Sequence, residues 1–165
     1  FELTHIATHK GGLLGADRLQ TYGTNTLYET FTPDFLVIDN EHAHKLSTSG
    51  YCESNIVYAH ANPILDYPGK FYLIPQDPSW NAGSIAMYLA CFDGHKKIFF
   101  MGFDGRQGDD AFYDKTLKLV FDLYNQVDFV RVMPTVDYYM PESWKYVPNL
   151  RQITFRDFII EADLG

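Results

Sequence analysis

Short apolar runs alternate along this chain with longer stretches in which apolar positions recur at helical spacing. Phe35-Leu36-Val37-Ile38 is a continuous apolar run, which suits a strand covered on both faces; Lys97–Met101 reads as another buried strand and Phe129–Met133 as a strand. Leu3–Thr8, Leu19–Gly23, Asn55–Ala59 and Lys70–Ile74 read as further strands, and Leu150–Thr154 as a last edge strand. Ser84–Phe92 carries Ile85, Tyr88, Leu89 and Phe92 at helical spacing, with Gly94 as its stop. Asp114–Asn125 carries Leu117, Val120, Phe121 and Tyr124 on one stripe, and Phe155–Ala162 reads as a closing helix. The alternation predicts an α/β fold, a three-layer Rossmann-like sandwich with a mostly parallel central sheet. One domain is expected over 1–165, with 134–148, rich in proline and aromatics, as an irregular lid or surface loop. Ligands of such sheets bind beyond the carboxyl ends of the strands. That rule points to Thr8–Gly12, Gly23–Asn25, Asp39–His44, Gln76–Ser84 and Asp104–Asp110.

Composition narrows the picture. A chain of 165 residues with 46% hydrophobic and 21% charged positions can bury a core of its own. The 13 Lys and Arg against 21 Asp and Glu give a net charge of −8, which disfavours a broad nucleic-acid surface. A small anionic ligand remains compatible with that charge, because backbone amides bind anions locally. The only cysteines, Cys52 and Cys91, are not in a C-x-x-C pair and read as reduced thiols. No apolar run is long enough for a transmembrane segment and no signal peptide is recognised, so a cytoplasmic location is expected.

Two blocks carry candidate chemistry. Trp80-Asn81-Ala82-Gly83-Ser84 opens the predicted helix and leads, through Gly94 and the strand Lys97–Met101, to Gly102-Phe103-Asp104. A helix N-terminus offers free N–H groups and positive potential, and glycine lets a phosphate or sugar approach the backbone. The same residues also meet the needs of an ordinary helix cap, with Asn81 as N-cap. The second block is Thr21-Tyr22-Gly23-Thr24-Asn25-Thr26-Leu27-Tyr28, followed by Pro33 to Asp39. Asn25 has both a donor and an acceptor, which suits reading a base or ribose edge, or closing a turn on its own backbone.

Together these blocks resemble the Rossmann-like nucleotide-binding domain of the small bacterial sialyltransferases that use CMP-sialic acid. They also resemble related uncharacterised bacterial and phage proteins and, more distantly, the hydroxymethylpterin diphosphokinase-like family. Those proteins carry a G-N-G-P-S loop, a C-N-x-x-Y block, a T/N-S-G-x turn opening a helix and a strand ending in G-x-D. Here the matching positions are Thr24-Asn25-Thr26-Leu27-Tyr28, Asn81-Ala82-Gly83-Ser84 and Gly102-Phe103-Asp104, within residues 3 to 105. The resemblance implies that Asn25, Asn81, Gly83 and Ser84 hold a nucleotide, that Thr8, Gly11 and Gly12 lie near its phosphates, and that Asp104 sits at a strand tip. The first loop departs from the pattern, reading Ala7-Thr8-His9-Lys10-Gly11-Gly12. The family's general-base histidine lies beyond its G-x-D strand, whereas the last histidine here is His95. His42 or His44 is therefore the candidate base, with Asp39 orienting a ribose or acceptor hydroxyl.

The His42-x-His44 pair beside Asp39 and Glu41 is also compatible with a metal site completed by His60, or with a solvated loop. Asp104, Asp109, Asp110 and Asp114 could hold Mg²⁺ beside a diphosphate, or form an exposed loop and helix cap. The leading expectation is a nucleotide or nucleotide-sugar binding protein, glycosyltransferase-like if active, with a glycan acceptor. A non-catalytic binding or assembly module, oligomeric or not, and a Mg²⁺-dependent diphosphotransferase are the alternatives. Tyr138, Tyr139, Trp144 and Tyr146 are the stretch from which a partner surface, or simple packing over the sheet, would be built.

Overall fold

The computed structural model describes residues 19–102, 110–135, 137 and 139–162, with the side chains of 110–113 excepted. Its described residues fall into two compact units, 19–89 and 90–162. The α/β class holds, and every strand pair among the described residues is parallel.

The first unit carries a sheet of β1 (Tyr22–Thr24), β2 (Phe35–Val37), β3 (Ile56–Ala59) and β4 (Tyr72–Leu73), in sequential order. Helix α1 (Ala43–Thr48) joins β2 to β3, α2 (Ala61–Asp66) joins β3 to β4, and α3 (Ala82–Phe92) follows β4. The pleat sorts the apolar run 35–38 onto two faces. Leu36 and Ile38 pack with Val57 and Ala59 against Ala43 and Leu46 of α1. Val37 packs with Ile74 against Ala82, Ile85, Ala86 and Leu89 of α3. The result is three layers, helix on sheet on helix. At the amino end, Asp34 locks β1 to β2: its carboxylate accepts from the Thr21 amide at 2.8 Å, and its own amide donates to the Thr21 hydroxyl at 2.9 Å.

The second unit holds β5 (Lys97–Phe100), β6 (Asp128–Met133) and β7 (Leu150–Thr154), with β6 in the centre. Helix α4 (Asp110–Leu123) lies on the face of Phe100 and Phe129, where Phe121 meets both rings at 5.9 and 4.8 Å between centroids. Helix α5 (Phe155–Glu161) covers the other face through Phe158, 5.0 Å from Phe99. Thr154 caps α5, its hydroxyl accepting from the Asp157 amide at 3.2 Å.

Most expected elements lie where the apolar pattern put them, while Leu3–Thr8 falls outside the described residues. Helices α3 and α4 begin earlier than expected, at Ala82 and Asp110. The polar stretch Asp39–His44 is not simply a loop: a 3-10 turn, Asn40–His42, runs into α1. Within 134–148, the turn Glu142–Trp144 seats Trp144 in the core at 1% exposure, whereas Tyr146 is 88% exposed.

Candidate functional site

The carboxyl ends of β1 to β4 converge on one polar cluster. Gly23 on β1 packs closely under Leu27 and Pro33, where a Cβ would come within 2.6 Å of the Leu27 side chain and 2.9 Å of the Pro33 ring. The chain then turns at Asn25 with φ +50°. Asn25 is welded to the end of β2. Its Oδ1 accepts from the Asp39 amide at 2.8 Å, and its Nδ2 donates to Asp39 Oδ2 at 3.0 Å. The other oxygen, Asp39 Oδ1, accepts from the Ala82 amide at 2.9 Å, at the start of α3. Asp39 is thus an anion placed by the chain on the positive end of a helix.

Asn81 completes that helix start. Its side chain accepts from the Ser84 amide at 3.0 Å and its carbonyl accepts from the Ile85 amide at 3.0 Å. The amides of Ala82, Ser84 and Ile85 are therefore engaged within the protein. Gly83 and Ser84 are buried, Ser84 completely. Of the residues expected to hold a nucleotide, Asn25, Asn81, Gly83 and Ser84 do gather around the α3 N-terminus, but as its internal bonding partners or in its packed interior. Thr8, Gly11, Gly12 and Asp104 lie outside the described residues.

Beside this cluster lies a cleft of about 550 Å³, lined by Asp39, Glu41, His60, Asn62, Asp77 and Trp80 among others. A cavity of that size suits a small organic ligand. His60 follows β3 directly. Its Nδ1 lies 2.6 Å from Asp77 Oδ1, and its Nε2 lies 3.1 Å from the Trp80 carbonyl oxygen. Both ring nitrogens thus face oxygens, and the ring ties the end of β3 to the loop before α3. That loop is strained, with Gln76 at φ +60° and Asp77 at φ +42°. The three described non-glycine residues at positive φ, Asn25, Gln76 and Asp77, all sit at this one edge of the sheet. Such conformations cost about 1 kcal/mol or more each and cluster at binding and catalytic sites. Trp80 is half-buried and braced from behind by Tyr88 of α3, whose ring meets it edge-on at 5.8 Å.

His42 and His44 do not line this cleft. His42 lies 3.5 Å from Glu41, and His44, exposed on α1, lies 3.1 Å from the Tyr67 hydroxyl. Among the described residues no group of three His, Cys, Asp or Glu side chains is placed to hold a metal ion. The aspartates proposed for Mg²⁺ are described only in part; Asp114, on α4, accepts at its carbonyl from the Trp144 indole at 2.9 Å. The sequence offers His60 only as a possible third metal ligand and Asp77 only as part of the stretch Gln76–Ser84; neither is singled out for this cleft. The rule that chose Asp39 at the end of β2, applied to the end of the predicted strand Asn55–Ala59, selects His60.

No protein-family model, no curated protein and no solved structure matches this chain. No helix among the described residues is long and apolar enough to cross a membrane.

Proposed function

We propose that this chain binds a nucleotide sugar or a related nucleoside at the carboxyl edge of β1–β4. The supporting observation is the cleft itself. It lies beyond the ends of parallel strands, where such sheets take ligands, and it joins hydrogen-bonding side chains to an aromatic wall, Trp80. The blocks that resemble the sialyltransferase nucleotide domain, around Asn25 and Asn81, build the rim of that edge. Binding is favoured over glycosyl transfer by one feature: both oxygens of Asp39 and both ring nitrogens of His60 are engaged within the protein. Transfer would require His60 Nε2 to exchange the Trp80 carbonyl for a ligand hydroxyl, and His60, rather than His42 or His44, would then carry the proton.

A thermal-shift panel of nucleosides, nucleotides and CMP-, UDP- and GDP-sugars tests the proposal. A ligand at about 100 times its Kd adds about 2.7 kcal/mol, or about 5–10 °C for a chain of this size. The expected result is such a rise with at least one of these compounds, lost in Trp80→Ala. A flat response across the panel, from protein that stays folded, overturns it.

A further inference from the structure

We propose that the cleft takes the uncharged, hydroxyl-bearing part of its ligand, a sugar or ribose ring, and excludes phosphate. This rests on the binding role proposed above and names the chemistry that the cleft selects. Three carboxylates, Asp39, Glu41 and Asp77, line it, and no Lys or Arg is among its described lining residues. Asp39 and Asp77 already bond Asn25, Ala82, His60 and Ala61, but each carboxylate oxygen has a second lone pair, so all three still accept from hydroxyl or amine donors and repel a phosphate. The attraction that a helix N-terminus would offer a phosphate is already spent. Asp39 sits on the Ala82 amide and Asn81 on the Ser84 amide, so the chain supplies its own anion at that position. Trp80 gives the cleft an apolar wall on which the C–H face of a sugar or the face of a base can rest. With a net charge of −8, the rest of the chain adds to the repulsion of anions.

The experiment is an NMR or calorimetric titration of the full chain with cytidine, CMP, N-acetylglucosamine and inorganic pyrophosphate. The expected result is that cytidine or N-acetylglucosamine binds at least as tightly as CMP, that pyrophosphate does not compete, and that added salt barely weakens binding. Neutralising a carboxylate sharpens the test. Glu41→Gln, at an exposed residue, is expected to raise CMP affinity by about threefold or more, through loss of one like charge across a partly solvated gap. Asp39→Asn acts in the same direction and more strongly if it folds; Glu41→Gln supplies the result if it does not. CMP binding about tenfold tighter than cytidine, with pyrophosphate competing, overturns the proposal and leaves the binding role standing. Failure of all four probes, and of the wider nucleotide-sugar panel, overturns both.

Discussion

The two units solve the same architectural problem, a parallel sheet between helices, and use their polar and aromatic residues in opposite ways. In the first, the carboxyl edge is polar and strained. Asn25 bonds Asp39 and His60 bonds Asp77 beside a cleft, and Trp80 lines that cleft, half-buried. In the second, the segment after β6 is spent on packing. Trp144 fills the core at 1% exposure, its ring 5.6 Å from Phe121 and 6.3 Å from Phe100. Arg131 is completely buried beneath it, with its guanidinium 5.3 Å from the indole and hydrogen bonds to Gln152 and the Tyr139 carbonyl. Each unit has one tryptophan of the chain's two. One wall belongs to a candidate ligand site and the other to a hydrophobic core, so fold class alone does not assign a binding role.

Trp144→Ala tests the structural half of this contrast with the largest expected effect. Removing a fully buried indole leaves a cavity, and the expected loss is about 3–5 kcal/mol in urea unfolding of the second unit. A loss under about 1 kcal/mol would mean that the residue is not a core element. Trp80→Ala, at a half-buried cleft residue, is expected to cost clearly less in the same measurement.

A smaller effect separates the units by pH. Glu161 on α5 is held by Arg151 and, at 2.9 Å, by Lys97, while Asp128 accepts from the other side of the Arg151 guanidinium. Hydrogen bonds from Arg151 and then Lys97 pull the Glu161 carboxyl down to about 2. A depressed carboxylate stabilises the fold above its unfolded value and loses that contribution as pH falls toward its folded value. Wild type should therefore exceed Glu161→Gln in stability above about pH 4.5, with the gap closing by about pH 2. Because the cluster is largely solvated, the gap is expected to be about 1 kcal/mol or less. A gap that persists at pH 2, or that widens on acidification, would remove the network from the account.

How far each region could be read in the sequence follows from its physics. Phe35–Ile38 is legible because a strand covered on both faces has no polar position to interrupt the run, and Phe129–Met133 is legible from its four apolar residues although the buried Arg131 breaks the run. Helices α1 and α2 were not, since AHKLST and ANPILD are too short for a helical period to emerge, and Pro63 in the second argues against a helix interior. The candidate site was legible in place and not in wiring. Asp39 and Asn81 were both picked out, but the bond that places Asp39 on the Ala82 amide joins positions 43 residues apart and depends on how α3 packs on the sheet. His60 was marked only by its position after the predicted strand Asn55–Ala59, because a lone histidine acquires its partners only when β3 ends beside the loop before α3.

The most direct test of the contrast is acrylamide quenching of two single-tryptophan variants, Trp144→Phe, which leaves the cleft indole, and Trp80→Phe, which leaves the core indole. The account predicts that the Trp80 emission is readily quenched and that a cleft ligand shields it. It also predicts that the Trp144 emission is protected and unmoved by the same ligand. Equal quenching of the two, or a ligand response confined to Trp144, would contradict the assignment of the cleft to the first unit.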